Sequence, residues 1–395
     1  MINRVFVIAL ALLLLLTPSF SAAQSISTSH PVYHCEPLAL QYSEQNDILV
    51  LDSSVEIQFP HELVFHVEVK SASDIIDARL HYKVNKMNYA NVTSEKWTAF
   101  TPAARIKTSW TWDMRRASLP PGAEVTYWWT FEDAAGNRIK TSPDTVHFDD
   151  NRYQWQSLTT SDFTESGKLT LFWYEGDDSF AQELMDICEK GLAKLVRDIG
   201  VYPESPVKIY IYASSSDLQG AMIFPMEWTG GVAFTEFGII AIGISPGKLD
   251  WGERALLHEL THLVVHQATF SPYGTLPVWL DEGLAVYNEG EASDYLQSCL
   301  EKAISEDKLI SVRSLCSPFS ADPEKAYISY AESYSLVKYL LDNYGQDKML
   351  NLLTLFKQGS TYDEALTQVY GFDIEGLDAR WRETLTGSTI IAVPL

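Results

Sequence analysis

Two histidines four residues apart, with a glutamate directly after the first, constrain this chain more than any other feature: His258-Glu259-Leu260-Thr261-His262. Residues four apart stand one turn above each other on a helix, so both imidazoles project from one face at a separation that a single tetrahedral ion can bridge. Glu259 lies about 100° round the helix from His258, close enough to the ion's open position to take a proton from bound water without being a ligand. The competing reading is a plain helix with two exposed histidines. What weakens it lies downstream, in Pro277-Val278-Trp279-Leu280-Asp281-Glu282-Gly283-Leu284-Ala285. There a carboxylate, Glu282, sits among Trp279, Leu280, Leu284 and Ala285, and burying an unpaired carboxylate is costly. A metal would serve as its partner.

A zinc site with an open position uses three protein ligands, and the place of the third distinguishes the classes that share H-E-x-x-H, the zincin pattern. The metzincin pattern needs Gly at 265 and His at 268, where this chain has Val265 and Ala268. The combination H-E-L-T-H and W-L-D-E-G-L-A resembles the gluzincin peptidases, and the segment P-x-W-L-x-E-G-L-A is similar to that of the bacterial peptidase MA-like family. The resemblance spans roughly residues 155–385. It implies a zinc-dependent hydrolase, with Zn2+ on His258, His262 and Glu282 and with Glu259 as general base. Glu282 follows His262 by 20 positions (282 − 262), the separation of the thermolysin-like branch. One departure stands out: that branch carries an aspartate four residues after the glutamate to orient a histidine, and here the position is Val286. Asp281 is the nearest substitute. The stretch Tyr327 to Tyr334 resembles the tyrosine-bearing helix start of aminopeptidase N-like enzymes, which selects Tyr330 as the carbonyl-polarising hydroxyl, against an ordinary packed tyrosine. His266, one turn beyond His262, is read as lying outside the ligand set.

The mechanism so implied is hydrolysis of a peptide or protein substrate by a metal-activated water, with Glu259 moving the proton. No glutamate-bearing exopeptidase motif is recognisable, which favours an endopeptidase. The hairpin Gly230-Gly231-Val232-Ala233-Phe234-Thr235 and Gly238 to Gly243 reads either as a simple turn or as an edge that pairs with an extended peptide. The rival reading is a catalytically degenerate zincin scaffold whose β domain binds an extracellular polymer or protein. Retention of Glu259 argues for the enzyme.

The rest of the chain reads as a two-domain protein. Residues 48–150 alternate apolar and polar in short runs punctuated by Pro120-Pro121-Gly122 and Asp133-Ala134-Ala135-Gly136-Asn137, which predicts an antiparallel β-sandwich similar to immunoglobulin or fibronectin type III modules. Trp110, Trp112, Trp128 and Trp129 fit its core and half-exposed faces, or else a platform contacting a cell-wall polymer or protein. Residues 151–390 switch to strand, helix, strand and then to helical spacing, predicting an α+β zincin-like domain with a helical C-terminal half. Residues 1–23 have the charged, apolar and small-residue order of a signal peptide, with 24–47 a linker, so the expected location is secreted, periplasmic or extracellular, without stable membrane insertion. Loss of Arg4 with that leader leaves 28 basic residues (29 less one) against 52 acidic, a surface that repels nucleic acid. Four cysteines, Cys35, Cys188, Cys299 and Cys316, in an exported chain suggest disulfides, with Cys299–Cys316 the expected pair.

Overall fold

The computed structural model describes residues 48–87, 89–116, 118–160, 168–225 and 230–387, in two compact units. The expected leader 1–23, the linker 24–47 and Cys35 lie outside the described residues. One unit takes the described residues up to Gln154 together with 219–225, and the other takes 155–218 and 230–387.

Alternation builds the first unit. Its strands are β1 (Leu49–Gln58), β2 (Glu62–Val84), β3 (Ser94–Trp97), β4 (Ala103–Asp113), β5 (Ala123–Asp133), β6 (Arg138–Lys140) and β7 (Asp144–Phe148). Along β5, Val125, Tyr127, Trp129 and Phe131 are buried while Thr126, Trp128 and Thr130 are half-buried, the period-2 pattern of a strand with one face on a core. The two stacked sheets expected of an immunoglobulin-like sandwich are not what forms. All seven strands belong to one hydrogen-bonded antiparallel sheet. The reason is β2, 23 residues long, whose first half pairs with β1 and β4 and whose second half pairs with β5 and β3. The register slips around Lys70 to Asp77, and Asp133 pins the slip: it accepts from Ser71 Oγ at 2.7 Å and from the backbone N–H groups of Ala135 and Asn137. Alternation reports which face of a strand is buried and is silent about such a change of partner. Trp112 and Trp129 are buried; Trp110 stacks on Tyr82 and Trp128 stacks flat on His81 at 5.5 Å.

The second unit opens on a five-stranded sheet, ordered β11-β12-β10-β9-β8 from β8 (Gln156–Thr159), β9 (Leu169–Trp173), β10 (Val207–Tyr212), β11 (Gly231–Phe234) and β12 (Ile239–Gly243). The three inner strands are parallel, and β8 and β11 run antiparallel on the edges. Helix α1 (Asp178–Asp198), capped by Asp177 accepting from Phe180 N, makes the crossover from β9 to β10, burying Phe180, Leu184, Ile187, Cys188, Leu192 and Leu195. After the short α2 (Ser215–Gln219) and the β11–β12 hairpin the chain is helical: α3 (Leu249–Thr269), α4 (Val278–Asn288), α5 (Asp294–Ser305), α6 (Pro323–Tyr344), α7 (Gln346–Lys357), α8 (Tyr362–Tyr370) and α9 (Ile374–Gly387). The α+β unit with a helical C-terminal half is thus observed. Among the described residues no helix is long and apolar enough to cross a membrane.

Cys299 and Cys316 are free thiols, not the expected disulfide. Cys299 faces Tyr295 on its own helix, whereas Cys316 donates to Val312 O at 3.5 Å. A separation of 16 residues in sequence carries no information about where the two Cβ vectors point.

Helices α4 and α6 touch through Gly283. A Cβ placed there would lie 2.4 Å from the carbonyl oxygen of Ser333 and 2.7 Å from Val337. Alanine is the better helix former by about 1 kcal/mol, but a clash with backbone cannot be relieved by turning a side chain, so overpacking decides the sign. Gly283→Ala should cost about 1–3 kcal/mol and lower the Tm of this unit by about 3–10 °C in a calorimetric scan. An unchanged Tm would show that α4 can back away freely.

Candidate metal centre

Helix α3 presents His258 and His262 from successive turns, and α4 returns across it after Pro277, with Trp279, Leu280, Leu284 and Ala285 buried and Glu282 aimed at the histidines. His258 Nε2 and His262 Nε2 lie 3.1 Å apart, and Glu282 Oε2 is 3.4 Å from the first and 3.5 Å from the second. Ligands about 2.0–2.1 Å from a tetrahedral zinc are separated by about 3.3 Å, so three donors at these spacings fit one ion. All three side chains are buried, and together they could hold a metal.

The far sides of both imidazoles are also spoken for. His262 Nδ1 lies 2.9 Å from Asp281 Oδ1, and His258 Nδ1 lies 2.8 Å from Glu289 Oε1. Asp281 is buried, which opposes its charge, yet His266 and His262 hold its carboxyl far below the usual range. It is therefore an acceptor, and His262 Nδ1 carries the donated proton. Nε2 of each imidazole faces the equivalent atom of the other and Glu282, so whatever bridges these atoms, a shared proton or a cation, must be positive. The same demand shows in titration. Burial opposes charge on His258, but its hydrogen bonds to the carboxylates of Glu282 and Glu289 outweigh it and raise its pKa to about 9. A further tie sets the helices against each other: Asn288 Nδ2 donates to Thr261 Oγ1 at 2.8 Å.

Glu259 is fully buried beside these three donors. Burial raises its pKa, against the pull of His258 and His262. Its carboxylate lies under β11: a Cβ on Gly231 would come within 3.0–3.1 Å of Glu259 Cγ and Oε1, so a side chain there would press on the glutamate. Tyr330, on α6, is brought in by the Gly283 contact, with its ring 6.4 Å from that of His258 and edge-on to Phe319. Burial first, and then the charges of Glu282, Glu259 and Glu289, push its pKa well up, so the hydroxyl keeps its proton.

The structure thus gathers His258, His262, Glu282, Glu259 and Tyr330 at one place. His266 stands apart from Glu282, with Nε2 2.8 Å from Asp281 Oδ2, and His262, His266 and Asp281 form a second, less buried group of possible ligands. Sequence reasoning missed Glu289, although its spacing of seven from Glu282, two turns on one helix face, was a readable signal.

A family model described as the peptidase MA superfamily matches residues 187–387, just over half of the sequence. The chain belongs to the peptidase MA superfamily. Membership supports a zincin-like peptidase and implies a zinc cofactor. No curated protein sequence matches this superfamily member. Solved structures similar to it include an M1 zinc metallopeptidase from Deinococcus radiodurans, 13% identical over 82% of this chain and 89% of that one, with a TM-score of 0.37. OgpA from Akkermansia muciniphila, in complex with an O-glycopeptide substrate, is 16% identical over 28% of this chain and 31% of its own, with a TM-score of 0.21. This peptidase MA chain therefore spans about a third of OgpA's length. A carbohydrate-binding module family 56 β-1,3-glucan binding domain is 21% identical over 25% of this chain and 98% of that one, with a TM-score of 0.17. All three are loose likenesses.

Because each imidazole leans on one carboxylate, Asp281→Asn and Glu289→Gln should each weaken zinc binding by about 10–100-fold without abolishing it. Competition against a chromogenic chelator measures this. Affinity equal to wild type in both variants would show that the carboxylates do not orient the ligands.

Proposed function

We propose that this peptidase MA superfamily member is an exported zinc endopeptidase, with His258, His262 and Glu282 as metal ligands and Glu259 and Tyr330 as catalytic groups. The observation that carries the reading is the convergence of three buried donor atoms at tetrahedral spacing with a fourth, buried carboxylate beside them. Export rests on the leader-like residues 1–23.

Zinc, when bound, would supply Lewis-acid polarisation of the scissile carbonyl and a more acidic bound water. Everything else falls to the chain. Glu259 takes the proton of the attacking water at its carboxylate and returns it to the departing amine, a task suited to a carboxyl whose pKa burial has raised above the ordinary carboxylate value. Tyr330 donates its hydroxyl proton in a hydrogen bond to the carbonyl oxygen as negative charge builds there. Strand β11, paired only with β12 among the described residues, offers its outer edge to an extended substrate directly over Glu259. Cleavage of internal bonds follows the sequence reading, in which no glutamate-bearing exopeptidase motif is recognised.

Glu259→Gln keeps the shape and removes the base. Zinc content and folding should persist while turnover of a peptide library falls by about 10²–10⁴-fold. Tyr330→Phe should fall less, by about tenfold, since metal polarisation of the carbonyl remains. His258→Ala should lose the metal itself. Full peptidase activity in zinc-loaded Glu259→Gln would place the chemistry elsewhere. Wild-type protein that binds zinc yet cleaves nothing would favour the scaffold reading.

A further inference from the structure

Helix α3 carries a stripe at four-residue spacing that extends beyond the two histidines: Arg254, His258, His262 and His266. Helix α4 and its C-cap answer it with Asp281 and Glu289, eight residues and so about two turns apart. The contacts interleave. Glu289 receives Arg254 Nε on Oε2 at 3.2 Å and His258 Nδ1 on Oε1 at 2.8 Å. Asp281 receives His262 Nδ1 on Oδ1 at 2.9 Å and His266 Nε2 on Oδ2 at 2.8 Å. Each carboxylate therefore spends one oxygen on an inner histidine and the other on an outer donor, and the pattern repeats on the two sides of the centre.

We infer that Arg254 and His266 are positioning residues for the metal centre, acting through Glu289 and Asp281. The inference rests on the reading of His258, His262 and Glu282 as ligands. The physical reason is rotational. A carboxylate bonded through one oxygen can swing about its last torsion and carry the imidazole with it, whereas one held through both oxygens cannot. Arg254 is further anchored by donating to the carbonyl oxygen of Glu291 at 3.2 Å, which ties its guanidinium to the chain just after α4. Neither outer side chain fills the core: Arg254 is 39% exposed and His266 28%. Their place is explained by what they hold rather than by burial.

The test uses the full chain with zinc and, separately, cobalt(II). Arg254→Met and His266→Phe keep bulk and remove the donor. Each should weaken zinc affinity by about five- to tenfold in chelator competition and shift the visible d–d absorption of the cobalt protein, with far-ultraviolet circular dichroism unchanged. Arg254→Lys and His266→Gln, which keep a donor within reach, should recover most of the affinity and the wild-type spectrum, a rescue that a merely structural role would not produce. If a bulky variant does not fold, Arg254→Gln and His266→Asn, which pull the donor out of reach, give the same two readouts. Wild-type affinity and an unshifted cobalt spectrum in the donor-lacking variants would overturn the inference. A wild-type chain that binds no zinc would instead overturn the ligand reading beneath it.

Discussion

Three buried donor atoms brought within 3.1–3.5 Å of one another are the constraint on which the rest of this unit depends. In so dry a site, walled by Leu256, Leu260, Leu263, Trp279 and Leu280, these donor atoms can stand this close only with protons or a cation between them. The arrangement holds together because α3 and α4 are fixed against each other by contacts that do not involve the donors: the Asn288–Thr261 hydrogen bond and the packed side chains between them. The helices are a rigid frame, and the chemistry is mounted on it.

Two glycines extend that frame to the remaining groups. Gly283, directly after Glu282, lets α6 close onto α4 until Tyr330 stands near His258. Gly231 lets β11 descend onto Glu259, where a Cβ would stand 3.0–3.1 Å from the glutamate side chain. At both places the missing side chain serves a close approach.

How much of this was legible in the sequence follows from the range over which each signal acts. The α3 helix and the β11–β12 hairpin come from local periodicity and turn chemistry, so residues near one another in sequence suffice to read them. Glu282 was readable because an acid in an apolar run needs a partner, and Tyr330 only through resemblance. Glu289 and Arg254 were overlooked although the spacings were present, because seven- and four-residue intervals become meaningful only once the opposing helix is placed. The continuous sheet in place of a sandwich and the unpaired Cys299 and Cys316 were not legible, for a common reason. A strand's change of partner at Lys70 to Asp77 and the direction of a thiol are tertiary facts, and alternation or spacing along the chain carries neither.

Charge explains why so many carboxylates can share one small volume. Glu259, Asp281, Glu282 and Glu289 lie on two facing helices and the C-cap of the second, all but buried, with Arg254 paired to Glu289. Four like charges beside one cation would be strongly destabilising in a low-dielectric setting. The histidines answer part of the demand by holding protons: the pKa of His258 rises to about 9 and that of His262 rises well above the ordinary value, despite burial. A divalent cation on the Nε2 atoms would answer it more fully, releasing those protons and leaving the Nδ1–H groups on Glu289 and Asp281. Metal affinity and the stability of the α3–α4 pair are then two expressions of one electrostatic balance, and the carboxylates that orient the ligands are also those that make the site attract a cation.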